Sequence, residues 1–295
     1  MDKPAAAKAP FTALPDHALL ALEGRDAIAF AQAQFMSDVA ALADGQWQWS
    51  GWLTPKGRVQ ALFALLRAGP EALLLVVPDS DAATLKAALE RFVFRSKVKL
   101  HVPEDRSLCG ILAAPADASG ARSATDAKGR IELDFGTPAQ PRTLRVCTGC
   151  SNPTDDAVLA RWRAHDIAHG LPRAAAAILE AHTPQQLSLD RLKAYSVRKG
   201  CYPGQEIVAR THFLGQAKRG LALFGATAVP AAGASLLEGE RTIGTVVAST
   251  PSGETSGHAA LVLAVVPLER IADAPALTID GETLAPLPLQ DGLAR

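Results

Sequence analysis

The sequence has no excess of charge of either sign. Its 295 residues include 30 Lys and Arg against 30 Asp and Glu, a formal net charge of zero at pH 7. A chain with this balance lacks the overall positive field of a typical nucleic-acid binder, so any anion site must be local. We therefore expect no direct nucleic-acid partner.

Long apolar runs and targeting signals are missing as well. The longest candidate, VQALFALLRAG at 59–69, is too short and too mixed for a membrane span, which needs roughly 18 residues. The N-terminus has no compact apolar block followed by a small-residue cleavage site. These absences predict a cytoplasmic protein with no membrane contact and a disordered tail over residues 1–10.

Cysteine is scarce, and its spacing favours no metal site. In a reducing compartment the four cysteines should be free thiols or metal ligands: Cys109, Cys147, Cys150 and Cys201. The CxxC at 147–150 has no second pair at zinc spacing. A redox role for this pair is a weaker alternative than adventitious disulfide formation in air, because the Ser-Asn-Pro that follows predicts a loop and not the helix of a thioredoxin-type motif.

Other common signatures are absent too. There is no phosphate-binding loop, dinucleotide fingerprint or nucleophile elbow. His165 and His169 are four residues apart but lack the glutamate of a zinc-protease motif. We expect both at a helix end or on the surface.

The hydrophobic pattern predicts an α+β fold followed by a small β-barrel. The pattern predicts a short helix with a following turn at 24–42, helices at 79–94 and 154–170, and a hairpin at Pro55-Lys56-Gly57. In the second helix, Asp79 or Ser80 is the predicted cap, and Leu85, Leu89 and Phe92 share one face. Short strands separated by Gly, Pro and Ser begin near residue 220. We place an α+β region at 11–215, which could divide into two subdomains, and a β-barrel at 216–295.

Three tryptophans lie in the first strand of this hairpin. Trp47 and Trp49 alternate with glutamines, which favours one face of a sheet packed on a helix. Together with Trp52 they are also candidates for stacking a flat heteroaromatic ligand, and this alternative stays open.

Cys201 has the surroundings of a reactive thiol. Arg198 and Lys199 precede it, and a Pro203-Gly204 turn leads into a predicted helix. Nearby cations and a helix N-terminus both stabilise a thiolate, the form that attacks and that binds metals. A buried filler role is the alternative, since free cysteine is often buried.

Positive charge is concentrated around this cysteine. Residues 190–219 contain seven basic residues (Arg191, Lys193, Arg198, Lys199, Arg210, Lys218 and Arg219) and two acidic ones (Asp190 and Glu206). Such a segment suits a small carboxylated or phosphorylated ligand or an acidic partner, although a solvated face is the usual reason for such a run.

The segment KGCYPGQE at 199–206 resembles the signature of the folate-binding YgfZ family, whose mitochondrial relatives mature iron–sulfur proteins. The likeness extends through IVAR and KRGL, and upstream through HGLP and TPQQLSLD. AFAQAQFMSDV and LTPKGRV are fainter matches to the N-terminal helix and hairpin of the family.

The resemblance implies the fold of the T-protein of the glycine cleavage system, a tetrahydrofolate-dependent aminomethyltransferase. That fold is an α+β folate-binding region around a central hole, closed by a C-terminal β-barrel. A tetrahydrofolate or a derivative is the implied cofactor, and the positive segment could accept its glutamate tail.

The two relatives differ in the chemistry they imply. The T-protein carries an acidic pair after its hairpin glycine, whereas Gly57-Arg58-Val59-Gln60-Ala61 has no carboxylate here. The T-protein has no cysteine at the position of Cys201. The comparison favours iron–sulfur chemistry over one-carbon transfer, because a thiolate replaces the missing acid.

The leading hypothesis is therefore a tetrahydrofolate-binding factor for assembly or repair of [4Fe–4S] clusters in selected enzymes, such as tRNA methylthiolases. Cys201 and Lys199 are the predicted catalytic residues, and Cys201 is a candidate transient cluster ligand. The predicted cofactor-binding residues are Arg198, Gly200, Tyr202, Gly204, Gln205, Glu206 and Arg210. Because one cysteine cannot hold a cluster alone, iron–sulfur carrier proteins and client enzymes are the expected partners.

Two other functions remain open. One is a tetrahydrofolate-dependent one-carbon transferase, and the other is a folate carrier or sensor in which Cys201 is structural. The resemblance favours an accessory maturation factor over a classical enzyme and leaves catalytic turnover undecided.

Overall fold

The computed structural model describes residues 10–79, 81–173, 179–215, 217–253, 257–273 and 276–295. All of the predicted N-terminal tail except Pro10 lies outside these residues. Within the described ranges, no helix is long and apolar enough to cross a membrane.

Strands outnumber helices in this part of the chain. In order, the elements are β1 (Thr12–Ala13), β2 (His17–Glu23), α1 (Ala27–Gln34), β3 (Trp47–Leu53), β4 (Val59–Gly69), β5 (Ala72–Pro78), α2 (Ala82–Glu90), β6 (Lys99–His101), β7 (Arg106–Ile111), β8 (Ala124–Thr125), β9 (Ile131–Asp134), β10 (Thr143–Thr148), α3 (Asp156–Ala168), α4 (Gln205–Leu214), β11 (Arg219–Ala226), β12 (Ser235–Glu238), β13 (Arg241–Pro251), β14 (Ala260–Pro267), α5 (Leu268–Asp273), β15 (Thr278–Ile279), β16 (Glu282–Thr283) and β17 (Ala285–Leu287).

The first sheet is buried on both faces. Its antiparallel strands follow the order β3-β4-β5-β2-β6. Side chains alternate along a strand, so Ala61 and Phe63 of β4 face α1 and α2, whereas Leu62 and Ala64 face the main core. This double burial explains why β4 is a nearly continuous apolar run.

A second sheet and α3 cover the face of the first sheet that lies opposite α1 and α2. The strand order is β1-β7-β10-β9-β8. Between the two sheets, Trp47 stacks on Phe135 with ring centroids 5.0 Å apart, and Phe135 stacks on Trp162 of α3 at 6.3 Å. Trp47 and Trp49 are almost fully buried on one face of the first sheet, as predicted, but the ring that both contact is Phe135, next to β9 of the second sheet, and not a helix residue.

The third sheet is barrel-like and contains the C-terminal strands in the order β16-β15-β12-β13-β14-β11-β17. Leu223 of β11 faces the main core, while its neighbours Ala222 and Phe224 face a separate core inside this sheet. The predicted α+β class is confirmed. The predicted boundary between 215 and 216 stays a prediction.

A buried ion network connects the first sheet with α3. The Arg173 guanidinium contacts the carboxylates of Asp16, Asp79 and Asp166, and Arg142 pairs with Asp166 at 2.8 Å. Burial alone would raise the pKa of Asp166, but the two guanidinium groups outweigh burial and lower it. The network therefore holds the Asp166 carboxylate ionised inside the protein.

The prediction for α2 is partly wrong. Its N-cap is Asp81 and not the predicted Asp79. The Asp81 carboxylate accepts hydrogen bonds from the backbone N–H groups of Ala83 and Thr84. The other predicted cap, Ser80, lies outside the described residues. The helix ends at Glu90, so Phe92 lies beyond it and is 40% exposed instead of lying on the buried helix face.

His165 and His169 lie at the end of a helix, which is one of the two positions predicted for them: His165 is in the last turn of α3 and His169 is its C-cap. Neither is on the surface, because both rings are buried and stack with centroids 4.0 Å apart. Burial lowers the pKa of both histidines, and that of His165 falls to about 3. Both are therefore neutral core residues at pH 7.

Candidate functional site

Cys201 lies in a loop that leads directly into α4; we call residues 196–204 the Cys201 loop. Among the described residues, Cys201 is a free cysteine with an exposed side chain, whereas the free Cys109 is buried. Gly204 is the N-cap of α4 and has φ of 77°, a left-handed conformation that glycine adopts without steric cost. The predicted turn and helix are both present, and the sulfur faces solvent.

Lys199 is anchored inside the protein. Its Nζ donates to the backbone carbonyl oxygens of Gln32 (2.5 Å), Phe35 (2.5 Å) and Ser37 (3.0 Å). These contacts use all three N–H donors of the ammonium group. Burial lowers the pKa of Lys199 to about 8. The side chain therefore ties the Cys201 loop to the end of α1, and no N–H donor is left for a ligand.

Tyr202 and Gln205 close the loop on itself. The buried Tyr202 donates its hydroxyl to the carbonyl oxygen of Ser196 at 3.1 Å, and its ring centroid lies 4.9 Å from Lys199 Nζ. Gln205 Nε2 donates to the carbonyl oxygen of Lys199 at 3.1 Å. These two candidate residues hold the shape of the loop that presents the thiol.

The hairpin turn of the first sheet packs closely against the N-terminal end of α4. A Cβ placed on Gly204 would lie 2.6 Å from Gly57 Cα and 2.6 Å from the carbonyl oxygen of Thr54. A Cβ on Gly57 would lie 2.9 Å from Ile207 Cβ. Both contacts are closer than a side chain tolerates, so two glycines let the turn and the helix touch.

We expect Gly204→Ala to disrupt this contact. The substitution forces an alanine into left-handed backbone and against the hairpin, which should cost about 1–3 kcal/mol of unfolding free energy. Denaturant unfolding measures the loss.

Gly200→Ala is the matched control, because a Cβ at Gly200 meets no atom within 4 Å. Its unfolding free energy should stay within about 0.5 kcal/mol of wild type. Equal losses in the two variants would contradict the close packing.

Replacing Lys199 by methionine should loosen the loop. Three buried carbonyl oxygens would lose their donor, at a cost of about 1–3 kcal/mol. Hydrogen exchange of the loop amides should accelerate. In Lys193→Met, which changes an exposed lysine nearby, exchange should match wild type. Unchanged exchange in Lys199→Met would show that the ammonium does not anchor the loop.

The predicted positive segment is partly neutralised. Arg191 pairs with Asp291 at 2.7 Å, Lys199 is buried, and Arg219 donates to the carbonyl oxygen of Ile243. Four of the seven cations are exposed: Lys193, Arg198, Arg210 and Lys218. Among the predicted ligand residues, Gly200 and Glu206 are exposed as well. Arg198 and Arg210 therefore remain available to a soluble anion.

Sequence reasoning missed a second segment of the site. Backbone hydrogen bonds join Val59 of β4 to Glu180 and His182, both at 2.9 Å. Gln60 Nε2 then donates to Glu180 Oε1 at 2.9 Å. The hairpin that lacks a carboxylate of its own thus receives one from a remote part of the chain, which no local motif indicates.

Three buried polar atoms near this junction have no hydrogen-bond partner among the residues that the structure describes. They are Gln60 Oε1, His182 Nε2 and Gln185 Oε1. The other end of the Gln185 amide donates to the Val208 carbonyl oxygen of α4 at 2.8 Å. Burial lowers the pKa of His182, and the nearby Arg58 acts in the same direction. Unpaired buried groups are costly, so they indicate a place where a polar ligand could bind.

A cavity of about 260 Å³ lies elsewhere, beside β11 and β17 of the barrel-like sheet. Its lining is mainly apolar and includes Leu223, Ile271 and Leu287 but none of the predicted site residues. We therefore attach no part of the candidate site to it.

The remaining cysteines lie together on the second sheet. Cys147 and Cys150 form a disulfide, so the prediction that they are reduced thiols or metal ligands is wrong. Cys109 Sγ lies 4.0 Å from Cys147 Sγ. Across the described ranges, no group of three or more His, Cys, Asp or Glu side chains is arranged to hold a metal ion.

Curated relatives match most of this chain, although no protein-family model does. A tRNA-modifying protein YgfZ from Aliivibrio fischeri is 29% identical over 272 residues, covering 86% of this chain and 84% of the relative. Another with this name, from Escherichia coli O157:H7, is 29% identical and covers 83% of each chain. These similarities support membership of the YgfZ family. A third relative of this name, from Vibrio vulnificus, is 27% identical over 238 residues, covering 77% of this chain and 73% of its own.

Structure comparison identifies the fold of this chain. The crystal structure of glycine cleavage system aminomethyltransferase T from Bartonella henselae superposes with a TM-score of 0.76, covering 98% of this chain and 88% of that one. Sequence identity is 16%, so the likeness shows a shared fold. The predicted T-protein-like architecture is confirmed.

Proposed function

We propose that this chain is a folate-binding factor that supports tRNA-modifying enzymes by assembling or repairing their [4Fe–4S] clusters. The names of its relatives support the link to tRNA modification, and its fold supports the folate ligand. The observation that carries the cluster chemistry is the exposed thiol of Cys201 on a loop anchored by Lys199 and Tyr202.

Cys201 is suited to transient cluster handling. Thiolate sulfur is the usual protein ligand of iron–sulfur clusters, and the cluster is here the substrate. A single exposed cysteine provides one ligand, so a carrier or client protein supplies the others.

The residues near the hairpin fit a folate. The unpaired Gln60 Oε1, His182 Nε2 and Gln185 Oε1 would pair with the amide and amine groups of a pterin. Exposed Arg198 and Arg210 would bind the carboxylates of the glutamate tail. When bound, a reduced folate supplies a carrier for one-carbon units.

The tail-binding role of the arginines can be measured with folates of different length. In the Arg198→Ala, Arg210→Ala double variant, the affinity for tetrahydrofolate triglutamate should fall about threefold to tenfold, because two exposed charge contacts are lost. The affinity for the monoglutamate should change less. Equal losses for both ligands would argue that these arginines do not read the tail.

The function is tested in cells that lack their own YgfZ family member. Expression of this protein should restore the activity of a [4Fe–4S] tRNA methylthiolase and leave an iron-free tRNA methyltransferase unchanged. No restoration by a folded, expressed protein would reject the iron–sulfur proposal. Folate binding, measured by calorimetry on the purified protein, is judged separately.

A second candidate function has one structural observation in its favour. Glu180 places a carboxylate beside the hairpin through its hydrogen bond to Gln60. A one-carbon transferase would need such an acid near the folate amine. This alternative predicts turnover of an aminomethyl- or methylene-folate with an acceptor, and loss of that turnover in Glu180→Gln without any effect on [4Fe–4S] enzymes.

A further inference from the structure

The CxxC pair of the second sheet is brought together by a tight backbone turn. Cys147 lies on β10 and Cys150 in the loop that follows, with Gly149 between them at φ of 65°. The two Cα atoms are 5.8 Å apart, within the range of an ordinary disulfide. The backbone turn therefore already holds the two sulfurs in position for bonding.

This disulfide is poorly placed to act as a structural staple. It joins residues only three apart in sequence, and a cross-link over so short a loop restricts the unfolded chain little. The second sheet is held instead by strand pairing, which matches β10 to β7 along six residues and to β9 along four. Reduction should therefore leave the fold in place.

The two sulfurs differ in their access to solvent. Cys147 is 1% exposed, whereas Cys150 is partly exposed in its loop. An incoming thiolate can therefore reach Cys150 and not Cys147. The buried position suits the leaving sulfur, which stays inside the protein when the bond breaks.

The Ser107 hydroxyl is positioned to form a hydrogen bond with the Cys147 thiol after the disulfide breaks. Ser107 pairs with Cys147 across the β7–β10 ladder, and its hydroxyl donates to the carbonyl oxygen of Cys150 at 3.0 Å. Ser107 Oγ also lies 3.5 Å from Cys147 Sγ. Because its hydrogen is already donated, Ser107 Oγ can accept from the Cys147 S–H that reduction creates.

We propose that Cys147 and Cys150 form a thiol–disulfide exchange site that reacts with a dithiol reductant, separate from the chemistry of Cys201. The reductant thiolate attacks Cys150 Sγ, the Cys147–Cys150 bond breaks, and Cys147 takes the electron pair and a proton. The second thiolate of the reductant then attacks the reductant's first sulfur, which is bonded to Cys150 in the mixed disulfide, and releases Cys150 as a thiol. The protein gains two electrons and two protons, and the reductant leaves as a disulfide.

Cys109 provides an internal control, although its sulfur lies 4.0 Å from Cys147 Sγ. It is 1% exposed, and burial raises its pKa to about 11. A protonated, buried thiol is a poor nucleophile at pH 7, so Cys109 should not enter the exchange.

The test uses the full-length protein in dithiothreitol buffers of graded oxidation, with alkylation and peptide mass spectrometry to count bonded sulfurs. We expect one reversible two-electron transition in wild type and in Cys109→Ala, with circular dichroism unchanged across it. The proposal fails if the bond does not form and reopen while the chain stays folded, or if the reduced pair binds zinc together with Cys109.

The direction of attack is tested with oxidised glutathione and the two single variants. Cys147→Ser should collect a glutathione adduct on Cys150 at least about tenfold faster than Cys150→Ser collects one on Cys147, because access to the sulfur limits the reaction. Equal rates would overturn the assignment of Cys150 as the entry point. Neither readout depends on folate or on iron–sulfur activity.

Discussion

Cells that depend on this protein should lose [4Fe–4S]-dependent tRNA methylthiolation when Cys201 is replaced by serine. A serine hydroxyl stays protonated at neutral pH and neither ligates iron nor attacks a sulfur species as a thiolate does. We expect the modification, measured by mass spectrometry of digested tRNA, to fall to the level of cells without the protein.

Folding and a second cysteine provide the controls for this prediction. Because Cys201 is exposed, the unfolding free energy of the serine variant should lie within about 0.5 kcal/mol of the wild-type value. Cys109→Ala, which removes a buried thiol on the second sheet, should keep the modification at the wild-type level. A similar loss in both variants would point to a general effect of cysteine replacement and not to the exposed thiolate.

Of the variants with a predicted unfolding free energy, Arg173→Ala should lose the most stability. The Arg173 guanidinium is 5% exposed and contacts three carboxylates, those of Asp16, Asp79 and Asp166. Removing it leaves buried negative charges without their partner, which should cost about 3–5 kcal/mol of unfolding free energy. Denaturant unfolding at pH 7 measures this cost.

Arg163→Ala is the matched control. Arg163 is 44% exposed and pairs with Asp16 alone among these carboxylates. Its loss should cost about 0–1 kcal/mol, the usual value of an exposed pair. A loss as large as that of Arg173→Ala would contradict the distinction between buried and exposed pairs.

The pH dependence of stability provides a second readout of the network. The pKa of Asp166 is lowered in the folded protein, so its contribution to stability is present above the pKa of the unfolded carboxyl, about 4, and is lost as the pH falls through the lower folded value. Arg173→Ala should weaken this acid dependence. An unchanged pH profile would show that Asp166 does not depend on Arg173.

Local patterns in the sequence predicted the parts of the site that depend on neighbouring residues. The Pro203-Gly204 turn, the helix after it and the hairpin at Gly57 all follow from residue type and spacing. The same holds for the alternation that buries Trp47 and Trp49. These features are fixed within a few residues, where glycine, proline and periodicity carry the information.

Contacts between remote segments could not be predicted in this way. Lys199 was expected beside the thiol because it precedes Cys201, but three carbonyl oxygens at the end of α1 bind its ammonium. Glu180 meets Gln60 because the segment around residue 180 pairs with β4. Both depend on how the chain folds back on itself, which spacing along the sequence does not reveal.

The most direct test of the central claim is the transfer of a [4Fe–4S] cluster from a carrier protein to a cluster-free tRNA methylthiolase, with and without this protein. We predict that wild type accelerates the recovery of methylthiolase activity and that Cys201→Ser does not, while both variants bind tetrahydrofolate equally. Equal acceleration by the two proteins would contradict a role for the Cys201 thiolate.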